Sequence, residues 1–242
     1  MFQPVKAGFG EYMGAFYAQL SVTTMPMREF CTRGLAKSIA FVPGRMIDSV
    51  EEMLGLWQRN DNDNAPTQPR KLPVVLVAVD KDYTPTARDF TRQVVDAQWL
   101  TIPSDTKERA FKIRTIAGDI RAQVVVIAAD DPTAKSIAAQ FDLFIDSPSN
   151  RAFNAAYEFA GQVMDWPVML ETSDTPASNI KVEAKNLSIL ALDLNLHTTI
   201  PLFDAPKDGE VSDGKGAAGD AGDPSGYPVV IQTNRTAMDV EP

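Results

Sequence analysis

Arg121-Ala-Gln-Val-Val-Val-Ile-Ala-Ala-Asp-Asp-Pro-Thr-Ala-Lys-Ser-Ile-Ala-Ala-Gln-Phe141 is the stretch on which the fold turns. Gln123 to Ala129 is strongly apolar and short, the composition of a strand covered on both faces. Asp131-Pro132 then offers a capped helix start, because a carboxylate can accept the first free amides and proline is already bent for the first turn. Ala134, Ile137, Ala138, Phe141 and Ile145 follow along one face of that helix. A buried strand leading directly into an amphipathic helix predicts a sheet with helices packed on it.

Upstream, Val74 to Val79 is a second continuous apolar strand. Pro85, followed by Ala87, Phe90, Val94 and Gln98, predicts a helix after it. Phe111 and Ile113 alternate with Lys112 and Arg114 up to Ala117-Gly118-Asp119, which reads as a tight turn, so this segment and Gln123 to Ala129 predict a β-hairpin. Downstream, Phe153, Ala156, Tyr157, Ala160 and Met164 predict a helix beginning at Asn150. Ile180, Val182 and Ala184, then Leu190, Leu192, Leu194 and Leu196, share even parity and predict strand. Unbroken to Ile200 it would reach roughly 70 Å at about 3.3 Å per residue. A break near Asn186 to Ser188, or a strand projecting beyond its domain, is therefore expected. The order strand, helix, hairpin, helix, strand predicts an α+β fold, a ferredoxin-like split βαβ sheet with helices on one face.

The flanks differ in character. A glycine-punctuated lead (Gly8, Gly10, Gly14) with Phe9, Tyr12, Phe16 and Tyr17 has no evident core of its own and reads as flexible. Phe30, Cys31, Leu35 and Ile39 predict one amphipathic helix after Pro26, and Met46, Val50, Met53, Leu54 and Trp57 a second. Asn60 to Pro69 is all turn formers and prolines and marks a boundary. Residues 1–60 are thus an N-terminal helical extension, 61–71 a linker, 72–203 an α/β core, and 204–242 a flexible loop, returning strand and tail. Asp204 to Gly226 holds six glycines and few apolar side chains, too few to repay the entropy of ordering; Tyr227 to Gln232 reads as the returning strand.

Composition narrows the chemistry. The 242 residues are 44% hydrophobic and 23% charged, an ordinary globular balance. The longest apolar run, Val74 to Val79, falls far below the roughly 20 residues of a membrane span, and the first residues lack the pattern of a secretory signal, so a soluble protein is expected. One cysteine and one histidine leave little scope for a thiolate–imidazole metal site. A net charge of −9 gains nothing overall from the phosphate field of a nucleic acid, and five of those charges lie from Asp204 onward.

The sequence motifs point away from catalysis. Gly209 to Gly216 has the glycine and lysine spacing of a phosphate-binding loop, but Gly216 stands where the magnesium-binding hydroxyl belongs and the segment lacks strand and helix signals. Asp61-Asn-Asp63-Asn-Ala65 alternates oxygen donors like a calcium loop, yet Pro66 replaces the required glycine and Leu72 the required glutamate. His197 has Asp193 two pleats away as a possible acid partner, and no Gly-x-Ser-x-Gly elbow supplies a nucleophile. Cys31, on an apolar stripe, reads as a small buried hydrophobe. No catalytic, cofactor or metal residue is assigned. Lys107, Arg109, Lys112, Arg114 and Arg121 cluster across the expected hairpin, a solvated face or a surface for an acidic partner. The expected partner interface comprises Arg109, Lys112, Arg114 and Arg121 of that hairpin with Asp204, Lys207, Asp208 and Tyr227 of the arm.

The strand, turn and helix of 121–141 resembles the central unit of tail-terminator proteins from long-tailed bacteriophages. Leu190-Ala-Leu-Asp-Leu-Asn-Leu-His-Thr-Thr-Ile-Pro-Leu-Phe203 is similar to the strand that such tail-completion proteins follow with a loop. The likeness covers roughly 72–203 and lies in element order. It implies a non-enzymatic structural virion protein, assembled in the host cytoplasm as a ring on the end of the tail tube. Such a ring contacts the sheath in contractile tails, docks to the capsid neck, and passes genome DNA through its lumen without specific binding. Six copies are implied, with twelve as the collar alternative. The longer N-terminal region leaves a neck, collar or head-completion adaptor open, and an α/β enzyme of unknown reaction is the rival of a different class.

Overall fold

The computed structural model describes residues 3–42, 72–85, 94–101, 110–159, 162–171, 177–180 and 187–204. The chain is mixed α and β, with no helix among the described residues long and apolar enough to cross a membrane. The described residues fall into two compact units. One draws on Met1–Thr86, Ala117–Ala155 and Trp166–Thr198, the other on Ala87–Ile116, Ala156–Asp165 and Thr199–Pro242.

The strands of the sheet run in the order β1 (Ile39–Phe41), β2 (Val74–Pro85), β4 (Ala110–Ala128), β8 (Ser188–Asp204), β6 (Gln162–Leu170), β5 (Ala152–Phe159). β1 lies parallel to β2, and β2 pairs antiparallel with β4, Val74 opposite Ile127 and Val79 opposite Ala122. Every residue of 74–79 and of 122–128 is buried, as expected for strands covered on both faces. On one face Val74, Leu76, Ala78, Val125, Ile127, Ile189 and Ala191 form a cluster roofed by Ala40, Leu72, Ile180 and Leu187.

The helix after β4, α4 (Asp131–Asp146), starts where its sequence predicts, with the cap at Asp130, one residue before the Asp131 expected. The Asp130 carboxylate accepts the Thr133 amide at 2.8 Å and Pro132 occupies the first turn. Ala134, Ile137, Ala138, Phe141 and Ile145 are all buried. Opposite it lies α1 (Gln3–Gln19), with Tyr12 edge-on to Phe144 and Phe16 edge-on to Phe141 at 5.0 and 4.9 Å between ring centroids. The glycine-punctuated lead is thus a helix with Val5, Phe9, Tyr12, Met13 and Phe16 buried, because its aromatics find their core in a helix more than a hundred residues away. Gly8 permits the approach of β5: a Cβ there would lie 2.3 Å from the Asn154 carbonyl oxygen.

Four expectations are corrected. The helix after Pro26 ends early: α2 (Met25–Thr32), capped by Thr24, stops before Gly34, whose φ of +93° suits glycine, and Leu35 and Ile39 pass to the single-turn α3 (Leu35–Ser38) and to β1. The helix predicted through Val94 and Gln98 gives way there to β3 (Val94–Thr101), where a β-branched pair and an aromatic favour strand. The hairpin is instead one 19-residue strand, β4, with Gly118 opposite Pro85 and Asp119 opposite Thr84 where a turn was expected. The helix from Asn150 is a 3-10 turn (Pro148–Asn150) and then β5, in which Phe153, Ala155, Tyr157 and Phe159 point inward and Ala152, Asn154, Ala156 and Glu158 outward. That alternation of two outweighs a coincidental helical spacing.

Of the long strand expected from Ile180, Val182, Ala184 and Asn186 lie outside the described residues. β8 begins at Ser188, and β7 (Ser178–Asn179) runs antiparallel to it, Asn179 opposite Leu190. Leu190, Leu192, Leu194 and Leu196 are buried, matching the even parity of the sequence.

In the second unit β3 pairs antiparallel with the first part of β4, Trp99 opposite Lys112 and Leu100 opposite Phe111. Its core is aromatic. Phe111 is fully buried, Phe159 meets it edge-on at 5.5 Å, and Phe159 stacks on Phe203 at 3.9 Å, with Met164 against the group.

The expected second helix (Met46 to Trp57), the 61–71 linker, the arm 205–226 and the returning strand from Tyr227 lie outside the described residues, as do the two loop-like motifs at 61–65 and 209–216.

Candidate functional site

On the face of the first unit's sheet that carries Val125 and Ile189, the apolar cluster gives way along the strands to polar side chains. Gln123 donates to the Asp193 carboxylate at 3.0 Å, and further along Asp119 Oδ1 meets His197 Nδ1 at 2.5 Å. Arg121 and Asn195 stand at the register between these two pairs. Arg121, Asp193, Leu194 and Asn195 line a pocket of about 300 Å³. Glu171, just beyond β6, closes the ladder: its Oε2 accepts from Asn195 Nδ2 at 2.9 Å and lies 3.5 Å from His197 Nε2.

The alternation of β4 and β8 produces this arrangement. Positions 119, 121 and 123 share one face of β4, and 193, 195 and 197 share one face of β8, so neighbouring antiparallel strands bring them together in pairs. His197 and Asp119 are 23% and 19% exposed, which gives their hydrogen bond a partly dehydrated setting. The acid partner expected for His197 is corrected here. Asp193 is two pleats away, about 13 Å along the strand, and is engaged by Gln123, whereas Asp119 crosses from β4. Sequence reasoning missed Asp119 because Ala117-Gly118-Asp119 reads as a turn.

Chemically the ladder is a set of mutually oriented donors and acceptors. Asp119 fixes the imidazole ring, and the ring's second nitrogen is aimed at a carboxylate. That geometry suits holding two strands and a strand terminus in register, and it presents Arg121 and Asp193, both exposed, to a polar neighbour. A separate groove of about 590 Å³ runs between the end of α1 and α4, lined by Leu20, Ser21, Gln140, Leu143 and Ser147 among others. Gln140 spans it, accepting from the Ser21 amide at 2.8 Å and donating to its carbonyl at 3.0 Å. Cys31 is half-buried on α2, and burial pushes its thiol above the usual range, which suppresses the nucleophilic thiolate.

Of the expected partner residues, Lys112 and Arg114 lie in the second unit and Arg121 in the first. Lys112 Nζ sits 5.0 Å from the Trp99 ring centroid, and Arg114 is exposed. Trp99 is itself 53% exposed. Asp204 ends β8. Arg109, Lys207, Asp208 and Tyr227 lie outside the described residues, as does Lys107.

No protein-family model matches the chain, and no curated protein matches its sequence.

Proposed function

We propose that the chain is a non-enzymatic structural subunit of a ring at the tail terminus or head–tail neck of a long-tailed bacteriophage, six copies to the ring. The observation that carries this reading is β3. Asp96, Ala97, Gln98 and Trp99 are all exposed, so the strand is open on both faces, and among the described residues it pairs only with β4. An open edge invites a further strand or chain. Such a surface suits a protein that completes itself in an assembly. The strand, turn and helix of 121–141, on which the likeness to tail terminators rests, is present as β4 and α4. The same reading takes the sheet as an elaborated ferredoxin-like unit, with neighbours in the tail tube, sheath or neck and genome DNA passing through the lumen without specific binding.

Native mass spectrometry and negative-stain imaging of the full chain test this. Closed rings of six copies are expected, and rings of twelve would favour the collar role. A monomer at all concentrations, with the tail-tube protein present, overturns the reading.

A further inference from the structure

α1 is helical more by its seat than by its sequence. Three of its seventeen residues are glycine, and it has neither an acidic first turn nor a basic last turn, so little of its own favours helix over coil. Its order comes from α4 and the start of β5. Phe9 and Tyr12 lie 5.8 and 5.5 Å from Phe153 between ring centroids, Phe16 lies 5.7 Å from Phe144, and the Tyr12 hydroxyl donates to the Asn150 carbonyl at 2.8 Å.

The glycines do not all serve that packing. Gly8 is demanded by β5, but a Cβ at Gly10 would make ordinary contact with the Phe41 ring at 3.5 Å, and one at Gly14 with the Leu35 side chain at 3.6 Å. Alanine fits at both, and glycine in its place favours the uncoiled chain about fivefold at each. Two such positions make α1 easier to undo without improving its fit. The link that follows, 20–24, is fastened to α4 by side chains: Gln140 accepts from the Ser21 amide and donates to its carbonyl, Thr23 meets Ser136 at 2.6 Å, and Thr24 meets Thr133 at 2.7 Å. The groove of about 590 Å³ runs beside this link. An α1 that leaves brings Phe9, Tyr12 and Phe16 into water and uncovers Phe141, Phe144 and Phe153, a heavy loss unless an equivalent seat is at hand. Every other copy of the chain carries that seat.

We propose that α1 is exchanged between copies, each chain laying its α1 on the α4 and β5 seat of a neighbour. Exchange of an identical element keeps its contacts and alters only the link, which makes it a low-cost route to assembly. The link from Gln19 to Met25 spans at most about 20 Å when extended, so a neighbour's seat must lie within that reach. The proposal rests on the ring reading and names the element that passes between neighbours.

Crosslinking tests it. Gln19 and Leu143 line the same groove, one at the end of α1 and the other on α4, and both are exposed. The full chain carrying Gln19→Cys and Leu143→Cys, with Cys31→Ser to remove the native thiol, is treated with a flexible bismaleimide before and after assembly. Single chains should dominate the denaturing gel from dilute protein, and covalent multimers the gel from assembled protein. A Gln19→Cys chain assembled with a Leu143→Cys chain should become linked to it. Rings that yield only single chains overturn the exchange and leave the ring reading standing. Linked multimers from a particle that is not a ring overturn the ring reading and support the exchange, and a chain that stays monomeric and links only to itself overturns both.

Gly10→Ala combined with Gly14→Ala gives a readout that mere proximity of two grooves would not move. It should raise the melting temperature and slow the appearance of linked multimers about twentyfold, because α1 leaves its seat less often. Linked multimers at the parent rate overturn the proposal, as does a lowered melting temperature, which would mean that packing requires the two glycines.

Discussion

Gly8 appears in the sequence as one of three glycines in a loose lead, and only the carbonyl of Asn154 shows why it has no side chain. Gly8→Ala should cost about 1–3 kcal/mol, since helix or strand must shift to relieve the overlap, and a lowered urea midpoint with unchanged slope is the expected result. Tyr157 supplies a pH test at the same scale. Burial pushes its phenol from the ordinary 10.0 up to about 12. The unfolded chain ionises first, so the group has no effect on stability below about pH 10, and stability falls as pH rises from there toward 12. Denaturant titrations across that window should show the fall, and Tyr157→Phe should reduce it, leaving the part due to Tyr12, whose phenol burial also pushes up. Little of this was legible beforehand. His197 stood out as the lone histidine, but its acid partner comes from a strand 78 positions away, and such pairings depend on strand register that no local pattern encodes.

At the scale of elements, the apolar runs and caps were the readable parts. Residues 74–79 of β2 and 122–128 of β4 are buried on both faces and hold one polar side chain, Gln123, and α4 announces itself through Asp131 and Pro132. Asp130→Ala should therefore cost about 1 kcal/mol by removing the acceptor for the Thr133 amide, measurable as a lowered melting temperature. β4 itself was not readable as one strand. Its inward positions are Phe111 and Ile113 at one end and Ile120 and Ala122 at the other, so the parity of burial changes between them, and glycine at that change looks like a turn. Hydrogen exchange separates the two possibilities: amides of Ala117 to Ile120 should be protected like those of a paired strand, whereas a hairpin turn would leave them fast. β5 was misread for the converse reason, since Phe153 and Tyr157 are spaced four apart, which satisfies a helical period and an alternating one equally.

For the whole molecule, composition set the class and tertiary pairing set the rest. Mixed α and β followed from an apolar strand beside an amphipathic helix, but α1 drew its order from Phe141 and Phe144, which no reading of residues 3–19 alone supplies. In the ring reading assembly should be insensitive to His197→Gln, since His197 pairs with Asp119 within the chain's own sheet; sedimentation of the variant against the parent checks this. The division into two units carries one more consequence. The backbone passes between them five times, and four of those passages fall inside β4, β5, β6 and β8, within a strand of the sheet. Neither unit corresponds to a contiguous stretch of coding sequence. Recombination can therefore exchange neither one as a cassette, and a laboratory graft of the second unit onto another scaffold has to rebuild strand register at each junction as well as join chain ends.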